Sequence, residues 1–124
     1  MATIKTFQEL GVWKESHQLT LLVYRTTSNH PKHELFGLVS QSRRSASSVP
    51  ANIVEGFRRK NLKDSISFYN RADASLEELK YHILLAKDLQ YINEQTYATV
   101  LQQSEVVGKM LTRWIQSQQQ YLTA

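Results

Sequence analysis

Between residues 33 and 59 the chain places Leu35, Leu38, Ser42, Ala46, Val49, Ile53 and Phe57 at steps of 3, 4, 4, 3, 4 and 4. That repeat is one face of an α-helix, and no strand pattern reproduces it. Pro50 stands inside the repeat. Its ring removes the amide hydrogen that would bond the carbonyl of Ala46, so a kink is expected there. The apolar stripe keeps its phase across the proline, which favours one kinked helix over two short ones. Ser47 and Ser48 are placed to return a hydrogen bond to the region.

The rest of the chain repeats the helical period. A first segment, 7–28, carries Leu10, Trp13, His17, Leu21 and Tyr24, widened by Val12, Leu19, Leu22 and Val23. It should stop at Ser28-Asn29-His30-Pro31, because the residue before proline is pushed out of the helical region. A third segment, 62–89, places Leu62, Ile66, Tyr69, Ala72, Leu76, Leu79, Ile83, Ala86 and Leu89 on one side, with a start expected at Lys63-Asp64-Ser65. A fourth, 93–121, begins at Asn93 as N-cap and runs through Tyr97, Val100, Leu101, Ser104, Val107, Leu111, Trp114, Ile115 and Gln118. Gly108, near that face, is expected to admit a close helix contact. Four Gly and two Pro punctuate 124 residues, with no Asn-Gly or Asp-Gly hairpin signal. The fold class expected is all-α. It is a single domain over 1–124, an antiparallel up-down-up-down four-helix bundle with helices of about 37 Å.

Composition removes several classes. With no cysteine, neither a disulfide nor a thiolate metal site is open to the chain. The longest apolar run, 35–39, is far below the about 20 residues that span a bilayer. The first residues lack the apolar core of a secretory signal, so a soluble, cytoplasmic protein without membrane contact is expected. The formal charge of +4 is uneven. Residues 43–71 hold seven cations, Arg43, Arg44, Arg58, Arg59, Lys60, Lys63 and Arg71, against Glu55 and Asp64, a net of +5. Clustered cations of this kind are the footprint of a polyanion site; the alternative is a solvated face with internal ion pairs.

Nothing in the chain points to catalysis. There is no glycine-rich phosphate loop, no nucleophile elbow and no convergent acid pair, and Glu77-Glu78 are neighbours about 100° apart on a helix. His30, His33 and Glu34 flank a proline turn, with His17 and His82 far off in sequence, so neither a metal nor a cofactor is expected. The second helix also carries a polar stripe, Gln41, Arg44, Ser48, Asn52, Glu55 and Arg59. Gln41, Ser48, Asn52 and Glu55 read as a structural polar network or a subunit interface, with Glu78 or another subunit as the partner for Arg44. Glu55 pairs with Arg59 one turn on. The cations fit phosphate contact better, since only Glu55 and Asp64 lie near enough in sequence to neutralise them. Trp13 and Trp114 fit core or interface anchoring, and Phe57, Phe68 and Tyr69 lie too close to apolar faces for base stacking.

The string Phe36-Gly37-Leu38, then Gln41-x-Arg43-Arg44-x-Ala46-x-Ser48-Val49-Pro50-x-Asn52-Ile53-x-Glu55-Gly56, resembles the signature of bacterial four-helix bundle proteins. These include the proteins encoded in 23S rRNA intervening sequences and, more distantly, the accessory variability determinant of diversity-generating retroelements. Phe7-x-x-Leu10-x-Val12-Trp13-Lys14, Ser75-Leu76-x-Glu78-Leu79 and Ala86-x-x-Leu89-x-Tyr91-Ile92 match as well, so the likeness covers essentially the whole chain. It implies a homopentameric barrel with a basic surface and no catalysis. Ala74 stands where that family often has Gly, which implies slightly looser helix packing.

The expected function is therefore a non-catalytic, largely sequence-independent binder of RNA or DNA, of the rRNA-insert type. The alternatives are an accessory protein that binds a reverse transcriptase and its template in a retroelement, and a scaffold whose basic segment docks an acidic protein partner.

Overall fold

The computed structural model describes residues 3–122. Four long helices carry the fold: α1 (Gly11–Thr27), α2 (Ser40–Arg58), α3 (Leu62–Asp88) and α4 (Glu94–Gln119). Short 3₁₀ turns precede α1 (Phe7–Glu9) and follow α4 (Gln120–Leu122). Helix α1 packs on α2 and α4, and α3 packs on α2 and α4, so the helices stand at the corners of a square. At 27 residues, α3 is about 40 Å long.

The helix ends follow local chemistry. The side chain of Asn61 accepts from the backbone N–H groups of Lys63 and Asp64, so α3 begins at Leu62, just ahead of the expected Lys63 start. Asn93 caps α4 by accepting from Thr96 N at 2.8 Å. Helix α3 ends with Gln90 in the left-handed region (φ 65°). There Gln90 N donates to Lys87 O and Tyr91 N to Ala86 O, both at 2.9 Å, closing the helix end and turning Tyr91 back toward the bundle.

Helix α2 runs unbroken through Pro50. The backbone leaves helical geometry instead at Gly37 (φ −110°, ψ −110°), within a wide π-type turn over Leu35–Val39. The carbonyl of Ala46, stripped of its helical donor, is met from another helix: Thr20 Oγ1 of α1 lies 3.2 Å from Ala46 O and shares its hydrogen with Ser16 O at 2.9 Å. The expected donors act elsewhere, Ser47 on Arg44 O and Ser48 with Ser75.

The core contains Leu19, Val23, Val49, Ile53, Leu76, Leu79, Ile83, Val100, Val107 and Leu111, all essentially free of solvent contact. The stripes expected for the last three helices hold along most of their length, although Leu35 and Leu89 are exposed. In α1 the buried face is Val12, Ser16, Leu19, Thr20, Val23 and Thr27, while Leu21 and Tyr24 face outward. Three hydroxyl residues hid that face from an apolar count. Each satisfies itself on its own helix, Ser16 on Trp13 O, Thr20 on Ser16 O and Thr27 on Val23 O, so its burial leaves no polar group unpaired.

Gly56 makes a close helix approach, where a Cβ would lie 2.5 Å from Tyr69 Cε1 and 2.9 Å from the Ser65 carbonyl oxygen. At Gly108 a Cβ would meet Leu76 Cδ2 at an ordinary 3.4 Å, so the close contact expected there belongs to Gly56. Ala74 is exposed.

Two stability predictions follow from these contacts. Thr20→Val orphans the Ala46 carbonyl and should cost about 1–3 kcal/mol in urea unfolding. The cost should shrink in a Pro50→Ala background, where the helical amide takes over. Gly56→Ala should cost about 1–3 kcal/mol through overpacking, whereas Gly108→Ala should be neutral or stabilising by up to about 1 kcal/mol.

Candidate nucleic-acid interface

The seven cations of 43–71 do not form one patch. Arg43 and Arg44 stand near the start of α2, and Arg58 closes it about 21 Å further along the axis. Arg59 and Lys60 lie in the connection to α3, Lys63 in the first turn of α3, and Arg71 further up that helix.

Arg43 is tied to α1. Its Nε donates to Thr27 Oγ1 at 3.0 Å and its Nη2 to the Tyr24 carbonyl at 3.2 Å. Its guanidinium lies 4.7 Å from the centre of the Tyr24 ring. It thus closes the last turn of α1, where a cation suits the helix dipole.

At the far end of α2 the chain builds a basic rim. Arg59 pairs with Glu55 at 3.0 Å and sets its guanidinium 4.5 Å from the Phe68 ring centre. Arg71 approaches the same ring at 4.7 Å. Two guanidiniums on one phenyl plate are held in place by cation–π attraction, with donor edges left over for an anion. Phe68 borders the apolar face, and its spacing of three before Arg71 is the one sequence signal of the plate. Around this plate Arg58, Lys60 and Lys63 are exposed, and none makes an ion pair among the described residues. The rim holds five cations against Glu55 and Asp64.

The polar residues of α2 separate into short links rather than one network. Asn52 Nδ2 donates to Ser48 O at 2.8 Å and Ser48 Oγ at 2.9 Å, and Ser48 shares a 2.9 Å hydrogen bond with Ser75 of α3. This link fixes α2 against α3. Glu55 belongs to Arg59. Glu78 lies 3.1 Å from His82 Nε2 on its own helix, not against Arg44. The side chains of Arg44 and Gln41 are exposed, without hydrogen-bond partners among the described residues.

At the opposite end a second polar cluster ties the α1–α2 connection to the α3–α4 connection. Glu34 accepts from Leu38 N at 3.1 Å and from the Tyr91 hydroxyl at 2.8 Å. The Leu38 amide first, then Tyr91, holds the Glu34 carboxyl below its usual range, while Glu34 pushes the Tyr91 hydroxyl up. His30 is buried beside the Tyr91 ring. Burial pushes its pKa down, Glu34 opposes this, and Arg43 adds to it. Among the described residues no three His, Asp or Glu side chains are grouped to hold a metal ion, and no helix is long and apolar enough to cross a membrane.

Residues 8–113 match the family model described as 23S rRNA-intervening sequence protein. The chain belongs to that family. Among solved structures, the chain is similar to a protein of unknown function from the S23 ribosomal protein family of Bacteroides thetaiotaomicron. The match has a TM-score of 0.75 and 25% identity, covering 84% of this chain and 97% of that one. No curated protein matches the sequence. Within the 23S rRNA-intervening sequence family match fall the α2–α3 rim, the Thr20–Ala46 bond and the Ser48–Asn52–Ser75 link.

The connection cluster makes stability pH-dependent in one direction. The lowered Glu34 pKa adds stability above the ordinary carboxyl value of 4.5, lost as pH falls through the folded value. The lowered His30 pKa does the same from its ordinary 6.5 downward, because the unfolded chain takes the proton first. His30→Gln should flatten the fall in melting temperature between about pH 6.5 and 5, and Tyr91→Phe should reduce the fall below about pH 4.5, both read by thermal scans across pH.

Proposed function

We propose that the protein is a non-catalytic, nucleic-acid-binding homo-oligomer that grips the phosphate backbone at the α2–α3 rim without reading base sequence. The observation that carries this is the rim itself: Arg58, Lys60 and Lys63 exposed and unpaired, beside the Arg59–Phe68–Arg71 plate. Arginine and lysine contacts to phosphate position a strand and carry no sequence information. Membership of a family named for inserts in 23S rRNA favours RNA as the polyanion. A homopentameric barrel, as the family resemblance implies, would repeat the rim on every copy and enlarge a patch that is modest on one chain.

Affinity should then be strong at low salt and fall steeply as salt rises, by about 0.7 log units per decade for each phosphate neutralised on a single strand. Arg58→Ala/Lys60→Ala/Lys63→Ala should remain folded and should reduce the slope of log affinity against log salt by about 2 on single-stranded RNA. The loss should be the same for unrelated sequences. Filter binding across a salt series reads both quantities, and an unchanged slope in the triple variant would remove the rim as the site. Arg43 is omitted because its loss would release the end of α1.

A further inference from the structure

Two carboxylates stand among the five cations of the α2–α3 rim, and only one of them suits the helix that carries it. Asp64 lies in the first turn of α3, where a negative charge faces the positive pole of the helix. Glu55 lies in the last turn of α2, where a carboxylate faces the negative pole of its own helix. Helix stability therefore accounts for Asp64 and not for Glu55.

What Glu55 touches is Arg59. The contact is single, Arg59 Nη2 to Glu55 Oε2 at 3.0 Å, although a guanidinium and a carboxylate can form two such bonds. The side chains are 46% exposed for Arg59 and 55% for Glu55, a setting in which ion pairs add little to stability. Arg59 itself lies just past the last residue of α2, with extended backbone (φ −68°, ψ 141°). Its guanidinium rests 4.5 Å from the Phe68 ring centre. The ring holds the guanidinium in place, and the carboxylate only occupies one of its edges.

That edge is one a phosphate would use. Arg71 approaches the same ring at 4.7 Å, and Arg58, Lys60 and Lys63 are exposed nearby without ion pairs among the described residues. A carboxylate oxygen and a phosphate oxygen offer a guanidinium N–H the same kind of charged acceptor. A phosphate can thus take over Nη2 while Arg59 stays on Phe68, and the exposed Glu55 side chain turns to solvent. While it remains in place, Glu55 cancels one of the five rim charges.

We propose that Glu55 is an internal stand-in for phosphate, which occupies Arg59 in the free protein and is exchanged for a backbone phosphate of single-stranded RNA when the strand arrives. The exchange holds affinity below what the five cations alone would give, because the strand must displace an acceptor before Arg59 can bind it. It also flattens the salt response, because the released carboxylate takes up a cation from solution as the strand sheds its own. This inference rests on the phosphate-gripping part of the proposed function and adds what regulates that grip.

The test measures filter binding of oligouridylate across a salt series, with folding read by circular dichroism. It uses the full chain and its Glu55→Gln, Asp64→Asn, Arg59→Ala and Glu55→Gln/Arg59→Ala variants. Glu55→Gln should bind about two- to fivefold more tightly at low salt, with a slope of log affinity against log salt steeper by about 0.7. Asp64→Asn removes the same charge from the rim without freeing an arginine, so its gain should be smaller. In the Arg59→Ala background the Glu55→Gln gain should shrink to the size of the Asp64→Asn gain. Glu55→Ala takes the place of Glu55→Gln if the glutamine variant misfolds. Binding by Glu55→Gln no tighter than wild type overturns the exchange. So does a gain that Asp64→Asn equals, or one that survives intact without Arg59, since either is the mark of general charge repulsion. In all three cases a lowered slope in Arg58→Ala/Lys60→Ala/Lys63→Ala keeps the rim as the phosphate site. An unchanged slope in that triple variant overturns this inference together with the rim.

Discussion

The bond from Thr20 to the carbonyl of Ala46 is the contact on which the arrangement of the first two helices turns. Pro50 creates the need for it by withholding an amide inside a buried helix. An unpaired carbonyl at that depth carries a desolvation cost, and a hydroxyl from the neighbouring helix removes it. The proline is therefore less a break in α2 than a polar address on it, readable by one residue of α1. Apolar side chains surround the bond and would tolerate small slips; the hydrogen bond does not.

Helix α2 is held on its other side by two further contacts of short range. Gly56 lets α3 approach until Tyr69 and the Ser65 carbonyl leave no room for a Cβ. Two turns away the Ser48–Asn52–Ser75 link joins the same helices through hydroxyls and an amide. Together these set the depth and the sliding register of α3 against α2. That register carries Phe68 under Arg59 at the rim. The proposed basic surface is thus a by-product of how one helix is anchored.

The number, order and approximate ends of the helices were legible in the spacing of apolar residues, because burial of one stripe per helix leaves a period that composition cannot disguise. The inward face of α1 was less legible. Ser16, Thr20 and Thr27 are polar by name and apolar by behaviour once their hydroxyls bond the preceding turn. The cations were legible as a count and not as a place. Arg43 and Arg58 share one charged stretch of sequence, yet a rigid helix holds them at opposite ends, and Arg43 finds hydroxyl and carbonyl acceptors on α1 that lie 16 and 19 residues away. Phe68 as a plate for two guanidiniums depends on the α2–α3 register, which no local pattern encodes.

The Phe68 plate has a consequence for the character of the rim. A free arginine side chain gives up about 2 kcal/mol of rotamer entropy when it is immobilised. Arg59 and Arg71 are already stacked, so little of that freedom remains for a ligand to remove. Arg58, Lys60 and Lys63 keep theirs. The rim is therefore two fixed charges set among three roaming ones. A polyanion would meet a stationary point that decides where it crosses the protein, within a mobile fringe that accommodates whatever path the rest of the strand takes.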